Sequence, residues 1–310
     1  MSQNPINPKS AYYIKLGRGG AWEQECIQQK QTLRLGYHQI PDNLCRQGKW
    51  DNVQSILENI RGDSGTATRD KNQIRIFYEA DETVLWVTFF GDRLYWGFSR
   101  PEITVLPDKT KSRPVIGAWS STDIKGNPLQ KYQLSGSLLR VEAFRGTICA
   151  IKDKDFKYLV RKINGVIEPD VDEALQAKAT FESKIEALLH KLTWKDFELL
   201  IDLIFRQAGW QRIRVLGKTQ KSIDLDLLYP LTGERFLVQV KSSAHSKQLD
   251  NFRKQMQNFQ DYNRAYFVVH SPAPNFKKLS DDDIEVWFPR DIASRVVLYG
   301  LADWLITKVS

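Results

Sequence analysis

Apolar positions recur along this chain with two different periods. Period two marks Ser222-Ile-Asp-Leu-Asp-Leu-Leu-Tyr229 and Arg235-Phe-Leu-Val-Gln-Val-Lys-Ser242, the spacing of strands in a sheet. Pro230-Leu-Thr-Gly233 between them supplies turn chemistry, so the two are predicted to pair as an antiparallel hairpin. Strand geometry puts Asp224 and Asp226 on one face, and Gln239 and Lys241 on one face of the partner strand. Gln239 shares parity with Leu237, so this second strand is expected to be buried on both sides.

The helical period appears just upstream. Thr193 is a predicted N-cap with Asp196 at the capping-box position, followed by Phe197, Leu200, Ile201, Ile204, Phe205 and Ala208 as one apolar stripe. Gly209 is the predicted stop. Glu198 sits beside the stripe at the edge of the core, and Asp202, one turn on, is the weaker acidic candidate. Beyond Lys241 the pattern predicts a polar helix over 246–262, strands over 264–270 and 284–288, and a helix over 291–308. Residues 171–191 read as a charged connecting helix, a solvated strut.

The first half of the chain has short strand patterns at 12–16, 32–40 (broken by Gly36), 83–90, 93–99, 103–106, 137–144 and 147–151. Helical spacing covers 50–61, and 73–79 is also read as helix. The expected architecture is an α+β, β-rich and mostly antiparallel N-terminal domain over 1–167. A connecting helix over 168–191 and an α/β domain with a mixed central sheet over 192–310 complete it.

Composition changes this picture little. The 310 residues suit about two domains, and 42% hydrophobic with 26% charged residues is ordinary for a globular protein. A net charge of +8 favours an anionic partner, nucleic acid first. Cys26, Cys45 and Cys149 are odd in number and lack metal-site spacing, which argues against a disulfide framework and for a reducing compartment. The opening residues lack an apolar signal core, so a cytoplasmic location is expected.

The chemistry enters with the charged positions of the hairpin. A carboxylate facing a lysine across two strands is costly to bury without a purpose, and a hard divalent cation supplies one. Asp224 followed by Gln239-Val240-Lys241 resembles the PD-(D/E)xK nucleases in their QxK variant, and within them the Mrr-like restriction endonuclease domain. Phe197-Glu198, Ala208-Gly209-Trp210, Arg214-Val215 and Ile223-Asp224 extend the resemblance over 192–272. It implies that Asp224, Glu198 and Gln239 hold Mg²⁺ (or Mn²⁺) and that Lys241 orients the attacking water. Two departures stand out: Gln239 replaces the usual second acid, and Lys218-Thr-Gln-Lys-Ser222 replaces a glycine-rich approach to the aspartate.

Tryptophan sets the first half apart. Trp86 and Trp96 lie on predicted strands and read as core, whereas Trp22, Trp50 and Trp119 lie near glycines or strand ends. Leu33-Arg-Leu-Gly-Tyr37, Val84-Leu-Trp-Val-Thr88 and Pro114-Val-Ile-Gly-Ala-Trp119 resemble PUA-like domains of the EVE and YTH type. That resemblance implies a modified-base pocket, with Trp22, Tyr37, Trp50 and Trp119 as its candidate walls. Stacking on such rings contributes about 1–3 kcal/mol per base.

The two resemblances together imply a modification-dependent, type IV-like restriction endonuclease acting on double-stranded DNA in antiviral defence. Lys218, Lys221, Lys247, Arg253 and Lys254 would track the DNA backbone. Cutting both strands needs two sites, so a homodimer is expected. Two alternatives stay open: a catalytically inert nucleic-acid sensor on a nuclease fold, and a defence nuclease switched on by a ligand.

Overall fold

A computed structural model of the chain describes residues 4–214, 224–257, 261–276 and 283–310. It divides into two compact units, Met1–Glu168 and Pro169–Ser310.

The first unit runs β1 (Ser10–Ile14), β2 (Thr32–Leu35), α1 (Asp42–Arg46), α2 (Trp50–Arg61), α3 (Ser64–Glu79), β3 (Val84–Phe90) and β4 (Arg93–Phe98). It continues with β5 (Thr104–Val105), β6 (Lys111–Pro114), α4 (Gly136–Leu139), β7 (Ile148–Ile151) and α5 (Asp153–Ile163). One sheet has the order β4-β3-β1-β7 and a smaller one β2-β6-β5. Strand β3 is buried along nearly its whole length because its side chains feed two cores. Val84 and Trp86 join Ile74, Phe77, Val53 and Leu57 of α2 and α3. Leu85, Val87 and Phe89 join Leu138, Leu159 and Ile163 of α4 and α5 on the opposite face.

Two expectations are corrected here. The unit is less β-rich and less antiparallel than its strand patterns suggested, since α2, α3 and α5 together outweigh the strands. Strands β1 and β3 pair in parallel because the chain between them makes a long helical crossover, the connection a parallel pair requires. Residues 137–144 form helical turns instead of a strand, with Ser135 capping α4 through its hydroxyl. A short polar cap overrides the local apolar pattern there.

The second unit runs α6 (Pro169–Leu189), α7 (Trp194–Gln207), β8 (Gln211–Arg214), β9 (Leu225–Leu228), β10 (Arg235–Ala244) and α8 (Ser246–Met256). It ends with β11 (Arg264–Pro272), β12 (Ile284–Trp287), α9 (Pro289–Leu298) and α10 (Ala302–Val309). The sheet order is β12-β11-β10-β9-β8, parallel from β10 to β12 and antiparallel from β8 to β10. The predicted hairpin and the mixed sheet are both present. Even-numbered Phe236, Val238 and Val240 of β10 pack with α6, α7 and α9. Leu237 packs on the other face with Leu249 and Phe252 of α8. Burial on both sides explains why strict alternation fails along β10.

Helix α6 is only half a solvated strut. Residues 171–180 are exposed, whereas Ile185 and Leu189 are buried in the core with α9 and α10. The predicted final helix is two helices, interrupted by Gly300 at φ +68°. No helix among the described residues is long and apolar enough to cross a membrane.

Two cations are buried in the first unit and serve backbone carbonyls. Arg113 is fully buried and donates to Phe77 O at 2.5 Å, Ala80 O at 2.8 Å and Arg100 O at 2.9 Å. It thereby satisfies the open carbonyl end of α3. Lys111 donates to Tyr37 O at 2.7 Å and Ile40 O at 2.8 Å. Replacing Arg113 by alanine leaves three carbonyls without donors. It is expected to cost the first unit on the order of 3 kcal/mol, read as a fall in its denaturation midpoint, and an unchanged midpoint would refute the assignment.

Candidate active site

Helix α7 and the entry to β9 build the site. Thr193 caps α7, accepting from Asp196 N at 3.3 Å and donating to Asp196 Oδ2 at 2.7 Å. The stripe from Phe197 to Phe205 is buried against the sheet, and Gly209 at φ +91° ends the helix. Packing this stripe onto β10 turns the neighbouring residues Lys195, Glu198, Leu199 and Asp202 toward the end of the sheet. With Arg212, Asp224, Leu225 and Val240 they line a cavity of about 430 Å³.

Asp224 precedes β9 and is held by main chain at both ends. Its N–H donates to Val238 O at 3.0 Å, and its Oδ2 accepts from Val240 N at 2.7 Å. Burial pushes its carboxyl up from the usual range. The Val240 N–H and the charges of Lys241 and Arg212 pull it back in part. Glu198 is also raised, first by burial and then by the negative charge of Asp224. Two carboxylates thus share one partly desolvated space and repel each other.

Asp202 adds a third acid to the wall. It is nearly fully buried, with Oδ2 paired to Arg206 Nε at 2.8 Å and Oδ1 3.8 Å from Arg212 Nη1. Asp202 Oδ1 has no hydrogen-bond partner. An orphaned carboxylate oxygen beside two mutually repelling carboxyls fits a hard divalent cation. Among the described residues no three His, Cys, Asp or Glu stand close enough to hold a metal by themselves. Water and substrate phosphate would complete the shell, as is usual for Mg²⁺.

The remaining predicted residues divide clearly. Lys241 is half-buried and near enough to Asp224 to lower its pKa, but it does not line the cavity. Gln239 is buried on β10, in the same parity as Lys241. It lies outside the cavity lining, so the expected neutral oxygen for a metal is not placed there. Asp226 is buried in an ion pair with Arg235 at 3.1 Å, which also donates to the Tyr262 hydroxyl at 2.8 Å. Lys247, Arg253 and Lys254 lie on α8, across the sheet from the cavity. Lys218 and Lys221 lie outside the described residues.

Arg212 and Lys195 were missed in the sequence. Arg212 sits on the face of β8 that meets α7 and donates to Asp224 O at 3.3 Å. The available signal was a charged residue at a core-facing strand position, which needs an acid opposite it.

The aromatic candidates of the first unit do not form one cage. Trp119 is buried in the core, its indole N–H donating to Thr32 O at 3.2 Å, and Trp86 and Trp96 are core as expected. Trp50 donates to Glu79 at 3.1 Å and packs edge-on to Tyr78. The Tyr37 hydroxyl donates to Asp70 at 2.9 Å. Trp22 faces a cavity. This space of about 360 Å³ is lined by Lys15, Gly17, Arg18, Gly19, Trp22, Gly36, Arg145, Gly146 and Thr147.

Comparison with known proteins bears on the second unit. Residues 189–277 match the family model Mrr_cat, described as a restriction endonuclease. The C-terminal part of the chain is therefore an Mrr-like nuclease domain, and the matched segment contains α7, the β9–β10 hairpin and the cavity. No curated protein and no solved structure matches the chain.

A divalent ion held by the raised carboxyls of Glu198 and Asp224 would bind with a distinct pH dependence. Mg²⁺ or Mn²⁺ at a hundred times its dissociation constant is expected to stabilise this domain by about 2.7 kcal/mol. Protons compete at Glu198 and Asp224 at a higher pH than at an ordinary carboxylate of pKa about 4. The metal-induced rise in melting temperature is therefore full at neutral pH and fades as pH falls through the raised values. Metal-free protein shows the opposite sign, because protonation relieves a buried, disfavoured charge. Asp224→Asn should abolish the metal-induced rise; a variant that keeps it would remove Asp224 from the site.

Proposed function

We propose that this restriction endonuclease-type domain hydrolyses phosphodiesters of modified double-stranded DNA, with the first unit reading the modified base. One observation carries the reading: Glu198 and Asp224 face a single cavity, with Lys241 beside Asp224, inside the segment that matches restriction endonucleases. A divalent ion such as Mg²⁺ or Mn²⁺ held there supplies polarisation of the phosphate and a lowered pKa for an attacking water.

The chain's own residues do the rest. Asp224 offers an oxygen whose position is set by the Val240 N–H on its partner oxygen. Glu198 places a second oxygen from α7, so metal affinity depends on the helix staying packed to the sheet. The Lys241 ammonium orients the water and offsets negative charge at the phosphorus. Arg212 and Lys195 line the same cavity and favour an anionic substrate there. Hydrolysis adds water across one P–O bond, the oxygen going to phosphorus and a proton to the departing oxygen.

Modification dependence rests on Trp22, whose cavity is of the size that takes one small ligand. A base must leave the duplex to be read in this way. Two strands must be cut, so two copies of the chain would act together.

Matched duplexes carrying cytosine, methylcytosine, hydroxymethylcytosine or glucosylated bases test this, each with and without Mg²⁺. One modified duplex is expected to be cut at least tenfold faster than the plain one, and only with metal. Lys241→Ala should slow cleavage by about a hundredfold or more, within the range of a lost general acid–base contribution, with little loss of DNA binding. Metal-dependent cleavage that survives Lys241→Ala would remove Lys241 from its catalytic role, and no metal-dependent cleavage of any duplex would sink the nuclease assignment. Equal cutting of all duplexes would sink modification dependence alone.

A further inference from the structure

Two cavities of similar size lie in the first unit, and their charges are treated differently. The larger, about 440 Å³, includes Lys9, Arg75, Glu79 and Asp81 in its wall. Its charges answer one another: Arg75 pairs with Glu79 at 2.8 Å, and Lys9 lies 3.9 Å from Asp81. The Trp22 cavity has three cations and no acid among its lining residues. Lys15 Nζ donates to Phe144 O at 2.6 Å, which fixes the ammonium without neutralising it. The side chains of Arg18 and Arg145 have no ion-pair or hydrogen-bond partner among the described residues.

The loop is shaped to bring backbone and indole together. Gly17 has φ +85° and Gly19 φ +63°, left-handed conformations that disfavour any side chain. A Cβ on Gly17 would stand 3.0 Å from Trp22 Cδ2, so only glycine lets the loop lie against the ring. The Arg34 guanidinium lies over the indole, 4.4 Å from the ring centroid. Arg34 is itself anchored by Glu25 at 2.9 Å and Asp108 at 2.5 Å. A rigid aromatic surface and three uncompensated cations therefore share one opening.

We infer that the Trp22 cavity takes a nucleotide with its phosphate, Trp22 meeting the base and Arg18, Arg145 and Lys15 the phosphate. The inference deepens the reading of this cavity as a base-reading site and rests on it. A bare base would use only the ring and leave like charges facing each other. A phosphate group neutralises them, and guanidinium groups match its oxygens in bidentate fashion. The phosphate belongs either to a DNA strand from which the nucleotide is turned out or to a free nucleotide.

Calorimetry on the full-length chain separates these possibilities. The probes are the four common deoxynucleoside 5′-monophosphates and 5-methyldeoxycytidine 5′-monophosphate, the matching nucleosides, and a short single strand carrying methylcytosine. At least one phosphate-bearing probe is expected to bind tenfold or more tighter than its nucleoside. The Arg18→Gln, Arg145→Gln double variant should remove that preference, and Trp22→Ala should weaken nucleoside and nucleotide alike. Both arginines are exposed and unpaired, so the double variant should keep the wild-type melting temperature. Binding of the strand without the monophosphates identifies a backbone phosphate as the ligand, and tight binding of a monophosphate identifies a free nucleotide. Equal affinity for nucleoside and nucleotide, a preference that survives the double variant, or no binding of any probe overturns the inference. The nuclease reading fails separately. If the double variant still cuts modified DNA selectively and keeps the phosphate preference, this inference alone is lost. If modified and plain DNA are cut alike while the preference is present, modification dependence is lost and the phosphate site stands.

Discussion

The Asp224 carboxylate accepts the backbone N–H of Val240 at 2.7 Å, and the organisation of the second unit follows from that contact. Strand β9 begins at Leu225, opposite Val238, so its ladder stops short of Val240. A buried N–H left unpaired costs about 1–3 kcal/mol. Asp224 meets that demand with one carboxylate oxygen, which pins the side chain at the mouth of the sheet. The other oxygen has no hydrogen-bond partner among the described residues and faces a cavity that Glu198 also lines. Structural necessity and a cation-seeking carboxylate thus coincide in one residue.

Helix α7 supplies the other half by simple geometry. Its apolar stripe must face Val238 and Val240, and α-helical spacing then leaves Glu198 and Asp202 on the flank of the contact, toward Arg212. The acids are not free to retreat into water, because moving them would unpack Phe197 and Ile201. Packing energy therefore holds together carboxyls that electrostatics alone would separate. Burial, and then the charge of Asp224, accordingly raises the Glu198 carboxyl.

Much of this was legible in the sequence where a pattern was local. The hairpin, the capped stripe of α7 and the helix over Trp50–Arg61 depend on near neighbours and on turn or cap chemistry, and each appears where the periodicity put it. Failures arose where distant pairing decides. The parallel β1–β3 pair depends on a crossover running from Lys15 to Thr83, and no window of sequence displays it. Trp119 looked like a pocket wall because a glycine precedes it closely, but a hydrogen bond to Thr32 O ties it into the core. Arg212 escaped notice because its meaning comes from Asp202, a residue on another element.

The sign of the unbalanced charge distinguishes the two sites more sharply than shape does. Asp202 is paired with Arg206 and Arg212, which leaves the partly buried carboxyls of Glu198 and Asp224 facing one cavity; a cation can enter there first and then draw a phosphate after it. Around Trp22 the excess is positive and open to solvent, so an anion can enter without an intermediary. Under the proposed function both arrangements would suit the same polymer from opposite directions, one through a metal at the bond to be broken and one through direct contact with a nucleotide. A chain with an overall charge of +8 that still concentrates acids in one cavity has put them there against its general electrostatic trend. A surface adapted only to holding nucleic acid would gain nothing from the Glu198 and Asp224 carboxyls in a cavity, since each repels the backbone it is meant to attract. Local negative charge within a basic protein is therefore better explained by chemistry on a phosphate than by binding alone.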